Sequence, residues 1–315
     1  MPAVLTGHGA FIKLGKETTW GTAITTTISN RINNVSIQKT QERNQKANLS
    51  VPSSGVLGGL YDGFLNVEGS VEMPVMYRGL GLLLEMAFGG TVSTTGSDPY
   101  THVFDPDLSL GSATVEVQRG TGITNQMERF TGVKITSLSI TCEAGGEMTA
   151  TIDFIGKTSQ ARAGNISSSF GTGTSVLHFH AGQLSFNAAN YDVRSFTFTV
   201  TNNLERRDLL GSKETAEQIV GDVRTITLEA TLDIEDDTLQ TAYIAGTQSD
   251  VSLNFTSGAS QIQFDLTNAL ITEHADPVTA FGRVERTVTF TGLADASNVG
   301  GSITLINDDS TGIGN

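Results

Sequence analysis

Two long stretches of period-two alternation constrain the fold more than any other feature of the chain. Leu65, Val67, Gly69, Val71, Met73 and Val75 fall on one side of the first, with Asn66, Glu68, Ser70 and Glu72 on the other. The second sets Ile226, Leu228, Ala230, Leu232 and Ile234 against Thr225, Thr227, Glu229, Thr231 and Asp233. Successive side chains of an extended chain point to opposite faces, so each stretch reads as a strand with one dry and one wet face. Shorter alternations recur at Val35/Ile37, Val133/Ile135, Met148–Phe154, Phe196–Val200, Val251–Phe255, Ile262–Leu266 and Val288/Phe290. Between Ile135 and Leu138 the alternation skips one residue, which predicts a β-bulge. Only Met76–Phe88 and Asp236–Ala245 carry helical spacing. Gly89–Gly90 stops the first and Gly246 the second, and Asp236 or Asp237 is placed to cap the second. The expected class is all-β with two short helices.

The elements come twice. Val35–Ile37 corresponds to Ser195–Thr197, Val67 to Thr227 and Gly79 to Leu239 at one spacing; Val115 to Val251, Phe154 to Phe290 and Gly156 to Gly292 at a shorter one. Val67 matches Ile226 or Leu228 better, so the register slips by one within the long strand. Each half runs short strand, polar loop, long strand, helix, more strands. The change of spacing is nearly accounted for by Gly89–Gly111, rich in Gly, Thr, Ser, Asp and Pro, which reads as an insertion loop in the first copy. The expected organisation is a first domain over 1–157, a linker over 158–174 and a second domain with its tail over 175–315.

Charge and cysteine content exclude several classes. The net charge of −14 disfavours a surface that grips phosphate, and no basic run exceeds pairs such as Arg206–Arg207. A single cysteine, Cys142, rules out a disulfide framework within the chain. No signal peptide is expected, and the apolar run near Leu80–Phe88 is too short to span a bilayer, so no membrane insertion is expected.

Catalytic and metal signatures are weak. His178 and His180, two apart on one strand face, are the only metal-like pair, with no Cys nearby and His274 the only other His of that half; a polar strand face is the plainer reading. No Gly-x-Ser-x-Gly turn, calcium loop or phosphate loop occurs. No enzyme activity, cofactor or metal is expected. The long loops Gln41–Asp62 and Asn202–Gly221 carry apolar residues that need a partner surface, either their own domain or another subunit.

The opening Phe11–Ala23, F-I-K-L-G-K-E-T-T-W-G-T-A, resembles the N-terminal signature of the tail tube (major tail) proteins of long-tailed bacteriophages, and the element order of each half is similar to the tail tube domain. The resemblance implies tandem tail-tube-like β-sandwich or barrel domains and a structural virion protein. It implies sheets that join around a ring, and rings that stack into a tube enclosing the tape-measure protein and then conducting DNA during genome ejection. The implied partners are other copies of the chain, tape-measure and tail-end proteins, and genomic DNA in transit without tight binding. The implied locations are the virion tail and, during assembly, the host cytoplasm. Two domains per chain fit a trimer with pseudo-sixfold symmetry, or a hexamer with the second copy outside the tube.

On this reading Glu68, Ser70 and Glu72, with Thr227, Glu229, Thr231 and Asp233, face the lumen. Leu49, Val51, Leu57, Leu204, Leu209 and Leu210 in the long loops make ring-to-ring contacts. The rival classes are a capsid decoration or surface-layer protein and a carbohydrate-binding β-sandwich. The last predicts aromatic platforms, whereas aromatics are 7% of this chain, with a single Trp20.

Overall fold

The computed structural model describes residues 4–45, 60–121, 123–160, 164–170, 177, 179, 182–278, 284–295 and 299–311. The first half holds β1 (Phe11–Lys16), β2 (Ile28–Arg31), β3 (Asn34–Val35), β4 (Gln38–Gln45), β5 (Leu60–Pro74), α1 (Gly81–Phe88), β6 (Ser93–Gly96), β7 (Tyr100–Phe104), β8 (Ala113–Gln118), β9 (Met127–Glu143), β10 (Thr149–Gly156) and β11 (Thr158–Ser159). The second holds β12 (Gly182–Phe186), β13 (Ala189–Tyr191), β14 (Val193–Thr201), β15 (Leu204–Arg207), β16 (Ala216–Val220), β17 (Thr225–Asp233), α2 (Thr238–Ala245), β18 (Gln248–Ser257), β19 (Ser260–Ala275), β20 (Glu285–Thr291) and β21 (Ser302–Asn307). The fold is all-β apart from two short helices.

Alternation sets the faces. In β17, Ile226, Leu228, Ala230 and Leu232 are buried while Thr225 and Glu229 are exposed. In β5, Val67, Val71 and Met73 are buried while Glu68 is exposed. Each fully buried Val, Leu, Ile or Phe contributes about 1.5–3 kcal/mol relative to exposure. Phe196 and Phe198 pack against Phe264 with tilted rings at centroid separations of 5.8 and 5.0 Å.

Both halves are wired alike. The first part of β9 pairs with β8, which pairs with β1 and then β2; its last part pairs with β10, then β5, then β3 and β4. In the second half β19 pairs with β18, then β12 and β13, and its last part pairs with β20, then β17 and β14. The registers agree residue for residue. Phe154 lies between Gly69 and Ile135, and Phe290 between Leu228 and Ile271. The expected bulge falls at Thr136, whose Oγ1 donates to Asp153 O at 3.1 Å; Thr272 occupies the matching bulge and donates to Thr289 O at 3.3 Å. With Gly69 aligned to Leu228, Val67 aligns with Ile226, the one-residue slip that the apolar pattern favours.

The halves also join. β14 adds to the edge of β9, from Ser137 opposite Thr201 to Glu143 opposite Ser195. One antiparallel run of eight strands results: β4, β5, β10, β9, β14, β17, β20, β19. A single apolar core lies behind it, including Leu138, Ile140, Phe196 and Phe198 at the junction.

Several segments depart from expectation. Gly89–Gly111 is not simply a loop: it contains the β6–β7 hairpin, and β7 pairs with β21 from Phe104 opposite Ile303 to Tyr100 opposite Asn307. Its strand pattern is only five residues long, too short to stand out among turn formers. His102 within it is fully buried, bonded to Thr94 Oγ1 at 2.9 Å and Asn307 Oδ1 at 3.1 Å. The segment read as linker begins as β11, with Thr158 and Ser159 paired to Thr131 and Phe130. Helix α1 starts at Gly81 rather than Met76, because Gly79 turns the chain with φ 82°. The second helix ends at Gly246, left-handed at φ 63°, and Asp236 Oδ1 accepts from Thr238 N at 2.9 Å.

Candidate functional site: an open acidic sheet face

The eight-strand run has one face in the core and one open. Pairing brings Glu68, Ser70 and Glu72 beside Ile155, Asp153 and Thr151 of β10, and Thr227, Glu229, Thr231 and Asp233 beside Thr291, Thr289, Thr287 and Glu285 of β20. Between them lie Ser137, Ser139 and Thr141 of β9 opposite Thr201, Thr199 and Thr197 of β14. All seven acidic and hydroxylic residues singled out in β5 and β17 thus share one face of one sheet.

Hydroxyls bridge the strands along this face: Ser36 to Ser70 at 3.0 Å, Ser137 to Asp153 at 2.7 Å, Thr141 to Thr149 at 3.0 Å and Thr272 to Thr291 at 3.1 Å. The hydroxyl rotors satisfy one another, so the wall needs no outside ligand. Glu68, Glu72 and Glu229 form no ion pair among the described residues. The cations near the face are engaged. Arg194 bonds Glu285 and lies 4.0 Å from Asp233. Lys134 is buried and bonds Glu217 at 2.8 Å. What remains is negative charge and hydroxyl, which offers phosphate no counter-charge.

The N-terminal motif braces the sheet rather than lining it. The Glu17 carboxylate is buried and accepts four hydrogen bonds, from Gly21 N (2.8 Å), Ser112 Oγ (2.7 Å), Thr114 Oγ1 (3.0 Å) and Gly132 N (2.9 Å). Lys16 reaches Glu85 of α1 at 2.7 Å. Gly21 has φ 70°, and a Cβ there would lie 2.6 Å from Lys157 Cδ. Lys157 sits 4.9 Å from the centre of the Trp20 ring, and Trp20 Nε1 donates to Gln218 Oε1 at 3.1 Å. The motif therefore ties the first half to the β15–β16 hairpin of the second.

That hairpin forms within the segment read as a long apolar loop. Its turn end lies on the first half: Leu65 N donates to Lys213 O at 2.8 Å, Arg206 Nη2 to Leu65 O at 3.1 Å, and Lys213 bonds Asp62 at 2.6 Å. The Lys213 ammonium holds the Asp62 carboxyl below the usual carboxylate range. Leu204 is half-buried, while Leu209 and Leu210 are exposed at the tip, 50% and 105%. Leu49, Val51 and Leu57 lie outside the described residues, as do His178 and His180. No group of three metal-ligating side chains occurs among the described residues, and no helix there is long and apolar enough to cross a membrane.

A two-half antiparallel β fold with a doubled register and this N-terminal brace is matched over residues 7–292 by the family model for the phage tail tube protein. The chain belongs to the phage tail tube family. No curated protein matches it. As a member of that family it is a structural, β-sandwich protein of the bacteriophage virion, of a kind that assembles with itself into a tube. Pattern alone located the open face, because one alternation sets it. The brace of Glu17, Trp20 and Gln218 was missed as a set, because its members are far apart in sequence; the motif that carried the family resemblance was its one visible sign.

Proposed function

We propose that this tail tube protein is a non-enzymatic subunit whose copies form stacked rings, with the open acidic face lining the bore through which genomic DNA is delivered. Each chain supplies two tube-type domains, 1–157 and 175–315, and three chains place six domains in a ring of pseudo-sixfold symmetry. The eight-strand run carries this reading: one chain already joins two equivalent four-strand sheets edge to edge, and among the described residues no further strand pairs with the outer edge of β4 or with β19 beyond Thr272. Closing such edges between chains removes the hazard that exposed strands present. A wall of carboxylate and hydroxyl repels phosphate, so DNA passes without binding. The tape-measure protein fills the same bore before ejection, tail-end proteins cap the tube, and assembly takes place in the host cytoplasm.

Negative-stain microscopy with native mass spectrometry of the purified protein tests this. Rings or tubes with a central hole and three chains per ring are expected. Six chains per ring would replace the trimer with a hexamer carrying its second half outside, and particles without a hole would favour a decoration or surface-layer protein.

A further inference from the structure

The contact between the two halves of the chain has an unfilled counterpart at its far end. At the junction, Asn202 Nδ2 donates to Ala87 O and Ile135 O, both at 2.9 Å, and Arg224 Nη1 donates to Phe88 O at 2.9 Å. The second half thereby satisfies the last carbonyls of α1, which a helix leaves without partners of its own. Every residue of α1 is buried.

The same parts recur in α2 and β19, and there the chain leaves them uncovered. Only Leu239 and Ala242 of α2 are buried; Tyr243 is 41% and Ile244 76% exposed. Among the described residues nothing donates to the carbonyls of Ile244 and Ala245. Beyond Thr272, β19 pairs on one side only among the described residues, with β20. At the other end of the run β3 and β4 pair only with β5 among the described residues, and the carbonyl of Ile37, between the two strands, accepts from Arg119 Nη2 at 2.9 Å.

We infer that the α2–β19 end of one copy binds the β3–β4 edge of a second copy in the register of the β9–β14 junction. The inference deepens the assembly reading above and rests on it. The internal correspondence fixes the partners. The bulges equate Thr136 with Thr272, and so Ser137 with Glu273. Gln38 opposite Glu68 and Thr40 opposite Asn66 match Thr199 opposite Thr227 and Thr201 opposite Thr225. Because Ser137 faces Thr201 within the chain, Glu273 faces Thr40 of the next copy. Gln41, whose side chain bonds the Asp62 carboxyl within its own chain, then stands where Asn202 stands, beside the carbonyls of Ile244 and Ile271. Tyr243 and Ile244 pass from water into the contact, as the corresponding face of α1 is covered inside the chain.

Paired cysteines test the register, since opposed Cβ atoms in an antiparallel pair lie about 4.5–5.5 Å apart. Cys142 is buried and stays in place. The variant Thr40→Cys with Glu273→Cys, assembled and oxidised, is expected to give covalent multimers at least tenfold more than either single variant or the displaced pair Thr40→Cys with Ala275→Cys. Ile244→Asp, at an exposed site that spares the fold, is expected to keep the melting curve of the wild type and lose rings. If wild-type rings form while the displaced pair cross-links better, or while Ile244→Asp still makes rings, the proposed register or docking face is wrong and the tube reading stands. If the wild-type protein makes neither rings nor tubes, the tube reading falls and takes this inference with it.

Discussion

The indole of Trp20 and the side-chain amide of Gln218 are 198 residues apart in sequence and meet at 3.1 Å, Nε1 donating to Oε1. The bond joins the N-terminal motif of the first half to the hairpin of the second. It lies beside Lys134, whose Nζ also reaches Gln218 O at 3.3 Å. The brace thus fixes the hairpin over the same β9 strand whose edge carries β14.

Gln218→Leu removes the acceptor and keeps the bulk. The expected cost is about 1 kcal/mol, the net worth of an ordinary hydrogen bond. Because Trp20 is the only tryptophan, its emission reports the site directly and should shift to the red. Proteolysis within 204–220 should quicken. An unchanged emission maximum with unchanged cleavage would place the hairpin's anchorage elsewhere.

Glu17→Gln puts an amide where four donors converge. At least one N–H group is then left facing another donor in a buried site. Charged hydrogen bonds are each worth about 1.5–3 kcal/mol, so a loss on the order of 3 kcal/mol and a clear fall in melting temperature are expected. A melting temperature equal to that of the wild type would show that the carboxylate is not what holds the motif.

Acid should loosen the α2 end. Arg286 is almost fully buried and bonds Asp276 at 2.9 and 3.0 Å and the Asp236 carbonyl at 3.0 Å. The hydrogen bond and charge of Arg286 hold the Asp276 carboxyl below its ordinary value of 3.8. A lowered folded pKa stabilises the fold above the unfolded value and loses that contribution as pH falls through the folded one. Asp276→Asn should cost about 1–3 kcal/mol at neutral pH and flatten the stability profile below pH ~4. Urea melts of both proteins across that range check this; parallel profiles would exclude the pair as a source of acid sensitivity.

Lysine at both Glu68 and Glu72 should leave assembly intact, since neither side chain packs in the core. On the proposed bore wall it reverses the local charge, and each new phosphate contact adds a salt-sensitive increment. Phage carrying the double variant should eject DNA slowly at low salt and recover at high salt, where the Debye length shrinks. Normal ejection at low salt would take these residues off the bore.

Strands, faces and the doubled element order were legible from the chain because they follow from local rules. Val67, Val71 and Met73 are buried because they alternate with Glu68, Ser70 and Glu72, and a strand has only two faces. The bulge at Thr136 was visible as a skipped beat, and Gly246 as the stop of α2. The β6–β7 hairpin was not, because its only signal was a short buried run at His102 and Phe104.

Tertiary structure alone decided how the halves meet. Nothing in the pattern of β9 distinguishes its edge from that of β19, yet β14 covers one, and among the described residues no strand covers the other beyond Thr272. The reason is long-range pairing: the chain runs on through β12 and β13 before β14 reaches the edge of β9. The sequence by itself determined which side of each strand is wet and that the unit is repeated. Which edges close, which helix is buried, and where Glu17 and Trp20 find their partners depend on contacts between residues far apart in sequence, which no local periodicity encodes.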